Sequence, residues 1–399
     1  MNLRPPVYIA PRCKRVRGFR LAICSACILS LSRALAFADP AWMLRATTGP
    51  SPRLDHGMTF DDRRGVAVLY GGSCCEGSDT RYYRDDTWEW NGKSWQQREV
   101  VGPGIRMSHS LVYDQTRGVT VFFGGFGADL GRKNDTWEWD GQDWAQRFPS
   151  VSPSPRNYHA GAFRNDRVVI YGGVRGRDVA TSDELCTWNG TSWIVLPSQA
   201  PGGRWHHGLA FDAGRSEVVL FGGNYSLFSM PPSTWTLGST WRAASPPEKN
   251  YYWGAALAYD PRVGGVVRFG GQQFRSFPTP YIPGTWLWDG SNWRVIDNNG
   301  PSPRYGAAMA YDSLREVLVL FGGSDADGAS GETWQFGYGR GDSDFDGLVS
   351  ATDFRWFSFC LSVTPGLFEI AGCSDLDFNK NNHIDLSDIA IFQRLFTGE

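Results

Sequence analysis

This chain carries almost no excess charge: 39 lysines and arginines stand against 41 aspartates and glutamates, a formal net charge of −2. No basic run occurs beyond the N-terminal segment, which argues against nucleic-acid or membrane-surface binding driven by a strong positive field. Several motifs are also missing. There is no CxxC…CxxC pair of the kind that holds zinc, no HExxH, no Gly-x-Ser-x-Gly elbow and no phosphate-cradling glycine loop. The absences leave without support a structural zinc site, a zinc peptidase, a serine hydrolase of the elbow type and a nucleoside-triphosphatase. Cysteine is sparse, at 8 residues in 399, whereas glycine (48) and tryptophan (18) are plentiful. That pairing suits many short strands joined by tight turns, with bulky rings between sheets.

The first residues read as an export signal. Lys14, Arg15, Arg17 and Arg20 precede an apolar stretch from Leu21 to about Leu35, which ends in Ala36-Phe37-Ala38. A basic lead, a short apolar core and an A-x-A site predict a signal peptide over 1–38, cleavage after Ala38, and a secreted, periplasmic or surface location. Cystine chemistry then becomes available to Cys74, Cys75, Cys186, Cys360 and Cys373. Cys360 and Cys373 are the best disulfide candidates; adjacent Cys74 and Cys75 form either a vicinal bridge or two thiols.

Repetition organises the chain from there to Phe336. Glycine pairs at 71–72, 124–125, 172–173, 222–223, 270–271 and 322–323 each close an apolar run such as AVLYGG or VVLFGG. After each comes a unit of alternating large residues: TWEW at 87 and 136, LCTW at 185, TWTL at 234, TWLW at 285 and TWQF at 333. Successive units are 49, 49, 49, 51 and 48 residues apart. A period near ~50 with paired glycines and aromatics is the mark of propeller blades. Asn91-Gly92, Asp140-Gly141, Asn189-Gly190 and Asp289-Gly290 supply hairpin turns, followed by fourth strands carrying Trp95, Trp144, Trp193, Trp241 and Trp293. No such tryptophan follows TWQF; Trp42 provides it instead, and GPSPR at 49–53 matches GPSPR at 300–304. The sequence therefore predicts an all-β fold of six blades over 39–338, with the N-terminal strand closing the last blade and leaving no open edge. The stretch from Trp42 to Phe336 resembles bacterial kelch-repeat proteins, a resemblance that implies a propeller and says little about activity. Galactose oxidase is similar in propeller type, but its copper site needs a crosslinked tyrosine and cysteine, and Cys186 falls at a third-strand core position instead.

Turns between strands 1–2 and 3–4 are short, so the long loops at 73–85, 126–134, 174–183, 224–232, 272–283 and 324–331 share the opposite face, the usual place for a binding surface. Tyr82, Tyr83, Tyr225, Phe274 and Tyr281 on these loops either stack on a sugar or peptide or pack beneath their own loops. Arg53, Arg106, Arg156, Arg204 and Arg304 open first strands, with His56, His109, His159 and His207 three residues later. These groups form either a positive rim for a carboxylate or internal braces, the arginines on loop carbonyls and the histidines between blades. The fifth repeat has Tyr252 and Ala255 there instead.

Composition changes in the C-terminal segment, 339–399. Asp342, Asp344, Asp346, Leu348 (through its carbonyl), Ser350 and Asp353 are spaced as a calcium loop with Gly347 at its sharp turn. The pattern recurs as Asp377, Asn379, Asn381, His383 (through its carbonyl), Asp385 and Asp388. Two Ca²⁺ sites are expected, the second weaker because it has fewer carboxylates. A loop followed by one helix, twice, resembles dockerin domains. That resemblance implies that Ala351 and Thr352, with Leu386 and Ser387, face a cohesin-like or cell-surface partner, although the Ser-Thr pair frequent in that family is absent from both loops.

The expectation is a secreted, non-catalytic binding protein. Its propeller takes carbohydrate or protein on the loop-rich face and its tail docks through calcium, with no nucleic-acid partner and no membrane span after signal cleavage. A polysaccharide-active enzyme, for which Asp325 and Asp327 are acid–base candidates, and a structural envelope protein are the alternatives.

Overall fold

A computed structural model describes residues 40–74, 82–176, 180–196, 201–224, 233–244, 251–274 and 280–337. The segment expected to be a signal peptide, the two expected calcium loops, Cys75, Cys360, Cys373, Tyr225 and the tail residues expected to face a partner lie outside them.

Six antiparallel sheets, each built on four strands, account for most of the described chain. The first comprises Gly57–Asp61, Val66–Tyr70, Thr87–Trp90 and Trp95–Arg98. Ser110–Asp114, Val119–Gly127, Arg132–Trp139 and Trp144–Arg147 form the second, to which Arg106–Met107 adds a short fifth strand. Ala160–Arg164, Arg167–Tyr171, Leu185–Trp188 and Trp193–Leu196 make the third. The fourth holds Gly208–Asp212, Glu217–Phe221, Thr234–Leu237 and Trp241–Ala243. The fifth runs through Ala256–Asp260, Gly265–Phe269, Thr285–Trp288 and Trp293–Asp297. In the sixth, Ala308–Asp312, Val317–Phe321 and Thr333–Gly337 are completed by Ala41–Ala46 from the other end of the chain. Trp42 lies opposite Phe336 in that pairing, as the spacing of the tryptophans predicts.

Apolar clusters join each sheet to the next, and one of them joins the sixth to the first, where Met58, Phe60 and Trp90 pack against Val317, Val319 and Phe321. First strands neighbour first strands all the way round. This is the arrangement of a β-propeller, in which radial packing buries both faces of every sheet.

Polar latches reinforce the circuit. Five of the six fourth-strand tryptophans donate their indole N–H to a third-strand threonine of the preceding sheet: Trp95 to Thr333 (2.7 Å), Trp144 to Thr87 (3.0 Å), Trp193 to Thr136 (2.9 Å), Trp293 to Thr234 (2.9 Å) and Trp42 to Thr285 (2.6 Å). The third strand of the third sheet opens with Leu185 instead, and Trp241 Nε1 is buried without an acceptor among the described residues.

The glycine pairs make a second latch. Gly71 and Gly72 have φ of 63° and 99°, and a Cβ on Gly71 would stand 2.4 Å from the Arg106 carbonyl oxygen. That approach lets the Gly72 N–H donate to the same oxygen at 2.9 Å, tying the first sheet to the second.

Candidate functional site

The recurrent arginines are braces inside the protein. Arg53 is fully buried; it donates to the Gly71 carbonyl at 2.9 Å and takes both oxygens of Asp86, at 2.6 and 2.9 Å. Arg106 repeats this with the Gly124 carbonyl and Asp135, Arg156 with Gly172 and Glu184, and Arg304 with Gly322 and Glu332. Arg204 donates to the carbonyls of Gly222 and Pro201. Their forks are thus engaged within the chain, each holding a glycine-pair turn in its own sheet.

His56, His109, His159 and His207 are buried as well, each ring edge-on to an aromatic that precedes the glycine pair of the preceding sheet: Phe321, Tyr70, Phe123 and Tyr171. His159 Nε2 lies 3.0 Å from Ser110 Oγ. Burial first, then the adjacent arginine charge, pushes His56 and His159 down to about 3, and holds His109 and His207 well below the ordinary imidazole value. All four are therefore neutral. In the fifth sheet Arg268, a strand residue, fills the corresponding space: its guanidinium lies 4.2 Å from the Phe221 ring centroid and 4.9 Å from that of Trp286. Cys186 is buried in its strand, its thiol pushed up to about 12 by burial.

Between each arginine and histidine position lies a residue that does vary. Asp55, Ser108, Tyr158, His206, Gly254 and Gly306 occupy this place in sheets one to six, all at positive φ between 55° and 67°. Their backbones close a ring of hydrogen bonds around the axis. Ser108 N donates to Asp55 O, Tyr158 N to Ser108 O, His206 N to Tyr158 O, Gly254 N to His206 O, Gly306 N to Gly254 O and Asp55 N to Gly306 O, all at 2.8–2.9 Å. Glycine suits this conformation; the other four residues hold it at roughly 1 kcal/mol or more each.

Their side chains gather on the axis. His206 Nε2 is 3.0 Å from Asp55 Oδ1, although the two belong to the fourth and first sheets. Both are nearly enclosed, at 11% and 6% side-chain exposure. Tyr158 packs on His206 with centroids 4.4 Å apart, and burial together with the Asp55 charge pushes its phenol well above the ordinary value.

Around this centre lies a crescent of rings. Trp205 stacks on His206 with 14° between planes. Trp253 approaches His206 at 4.7 Å and Tyr305 at 5.0 Å, and Tyr281 lies over Tyr305 at 28°. Tyr158, Trp205, Trp253 and Tyr281 are only half-buried. Trp205 and Tyr305 pair by backbone with Asn224 and Ser324, and Trp253 with Gln272, each just after a glycine pair, which puts the crescent at the loop-rich end of the ring.

Of the loop aromatics singled out from the sequence, Tyr281 joins this crescent and its hydroxyl donates to the Asp325 carbonyl at 2.9 Å. Tyr83 is buried against Phe126, and Tyr82 is exposed. Phe274 ends the short strand Gln272–Phe274. Asp325 accepts from Ser302 Oγ and from the Asp327 backbone N–H, so it caps its own turn. Among the described residues no group of three histidine, cysteine, aspartate or glutamate side chains is placed to hold a metal ion, and no helix is long and apolar enough to cross a membrane.

The residues that sequence reasoning passed over are Asp55, Tyr158, Trp205, His206, Trp253 and Tyr305. Their signal was available: aligned on the arginines, the repeats differ most at these two places.

No family model and no curated protein matches this chain. Among solved structures, that of YjhT, a β-propeller-type protein, is similar with a TM-score of 0.57 and 13% identity, covering 71% of this chain and 95% of that one. At this identity the likeness bears on the fold alone.

Proposed function

We propose that this chain is an exported, six-bladed propeller of kelch type that binds carbohydrate without transforming it. Its C-terminal dockerin-like module takes up two Ca²⁺ ions and docks the protein to a cohesin-like or cell-surface partner. One observation carries the binding assignment: the crescent of half-buried rings, Tyr158, Trp205, Trp253 and Tyr281, set around the Asp55–His206 pair at the loop-rich end. Flat apolar faces beside a few fixed polar groups are what a sugar asks for, since its ring offers C–H faces for stacking and hydroxyls at its edge. Retention of three non-glycine side chains besides Asp55 at left-handed positions, where two sheets use glycine, supports a role beyond scaffolding.

The test is a glycan array probed with the full mature chain, followed by calorimetry on the best ligand. Trp253→Ala should weaken binding by about tenfold or more while the protein stays folded. Absence of any glycan ligand, or indifference to both Trp253→Ala and Trp205→Ala, would overturn the assignment. For the tail, Ca²⁺ added to the full chain should release heat in two phases. Asp342→Ala should remove the tighter one, and an unchanged isotherm would sink the calcium reading.

A further inference from the structure

Among the described residues, Arg132 stands at the loop-rich end with no acid beside it. Arg53, Arg106, Arg156, Arg175 and Arg304 each meet a carboxylate: Asp86, Asp135, Glu184 (shared by two of them) and Glu332. Arg132 donates from Nε to Asn157 Oδ1 at 2.8 Å and from Nη1 to the Gly176 carbonyl at 2.6 Å. Both acceptors are neutral, and Nη2 has no partner among the described residues. The two acids nearest in sequence on its own hairpin are engaged elsewhere, Asp129 by Lys133 and Asp135 by Arg106, each at 2.6 Å.

The position of Arg132 matters as much as its bonding. Asn157, which holds Nε, immediately precedes Tyr158, and the Tyr158 ring lies 5.4 Å from Trp205 and 4.4 Å from His206. The guanidinium sits 5.9 Å from the Phe126 ring centroid. It is half-buried, and desolvation lowers its proton affinity. A cation partly stripped of water and given no counter-charge is unfavourable unless something supplies that charge. Two of its three nitrogens are fixed, so the third edge is held in place to receive an acceptor, a use for which the planar fork is better suited than a lysine.

We infer that the carbohydrate bound on the aromatic crescent carries an acidic group, a carboxylate or a sulfate ester, and that the open edge of Arg132 takes that group beside Tyr158. The inference rests on the proposed carbohydrate binding and adds the charge of the ligand to it. The crescent supplies the stacking surface and Arg132 supplies selection for the anion. The five buried arginines, whose terminal nitrogens donate within the chain, are left to hold the scaffold.

The experiment compares three probes on the full mature chain by calorimetry: a uronic-acid oligosaccharide, its carboxyl-reduced neutral counterpart, and the neutral oligosaccharide bearing sulfate esters. Wild type should bind at least one acidic probe about tenfold or more tightly than the neutral one, with the preference falling as salt rises. Arg132→Gln should erase the preference while leaving neutral binding in place, and Arg132→Lys should restore part of it, by about threefold. Which acidic probe wins identifies the group. Equal affinity for acidic and neutral probes, or an equal loss on all three in Arg132→Gln, would overturn the inference and leave carbohydrate binding standing. Failure of every probe, with an empty glycan array, would overturn both. If Arg132→Gln unfolds more easily than wild type, the lysine variant, which keeps the charge, carries the comparison through its ratio of acidic to neutral affinity.

Discussion

Asp55 and His206, 151 residues apart in the chain, meet at 3.0 Å inside the ring formed by their own backbones. The contact joins the first sheet to the fourth, which are not neighbours around the ring. Asp55→Ala should destabilise the protein by about 2–4 kcal/mol, because it strips a partner from a nearly enclosed imidazole and puts alanine at φ 56°. Asp55→Asn keeps an acceptor and tolerates the left-handed backbone, so it should cost about half as much or less. Urea unfolding of the two variants gives the comparison; equal losses would show that the side-chain contact contributes nothing.

The buried arginines should behave differently from Arg132. Arg53→Met leaves Asp86 without its forked partner and frees the Gly71 carbonyl, so a loss of about 3–5 kcal/mol is expected. Glycan affinity, measured well below the melting temperature, should not move. A variant of normal stability that loses ligand would return Arg53 to the rim role its sequence position suggests.

How far the sequence reveals this molecule depends on which kind of residue is read. The strands and turns were legible because glycine pairs and tryptophans repeat at near-constant spacing, and each has a local reason: Gly71 must leave room for the Arg106 carbonyl and Gly72 for His56 and the Leu54 carbonyl, and Trp144 must reach Thr87. Even the closing strand was legible, since Trp42 is the tryptophan missing after Phe336. The same repetition misdirects a search for a site. Arg53, Arg106, Arg156, Arg204 and Arg304 recur because every sheet needs the same brace, and four histidines recur because four sheet junctions need a ring. A binding site at the axis of a ring occurs once, so its residues differ from repeat to repeat. Asp55, Tyr158 and His206 lie side by side with the recurrent positions, and they stand out only when the repeats are aligned on the arginines. Only closure of the ring brings residues from different repeats together. Arg132 was hidden for another reason: its lack of an acid among the described residues is a fact about neighbours distant in sequence.

Acid should loosen the propeller through the buried histidines. Unfolded, their imidazoles take up protons near 6.5, whereas His56 and His159 in the folded protein do so only at about 3. Between those values unfolding binds protons, so stability falls as pH drops below about 6.5, at up to about 1.4 kcal/mol per pH unit for each histidine. Above about pH 7 these groups contribute no slope. The His56 ring approaches the Phe321 backbone, yet neither ring nitrogen reaches hydrogen-bonding geometry, so His56→Phe gives up no bond. That variant should match wild type near neutral pH and lose less on acidification. Thermal melts between about pH 7 and about pH 4 decide it; parallel curves for the two proteins would mean that other groups control the acid limb.

The broken latch between the third and fourth sheets offers the most direct check on the packing. Five tryptophans donate to a threonine across a sheet junction, and Trp241, where Leu185 stands in the threonine's place, does not. Leu185→Thr should give the orphaned indole N–H an acceptor, worth about 1–2 kcal/mol for relief of a buried unsatisfied donor. Against this stands the apolar contact that Leu185 makes with the cluster around Tyr171, Leu209 and Leu220, whose partial loss costs about 1 kcal/mol. The substitution should therefore be neutral to mildly stabilising, in contrast to the loss expected of a leucine-to-threonine change at an ordinary half-buried site. Leu185→Ala, which removes the same contact and adds no acceptor, is the control. If the two variants unfold at the same urea concentration, the indole latches do not contribute as their geometry implies.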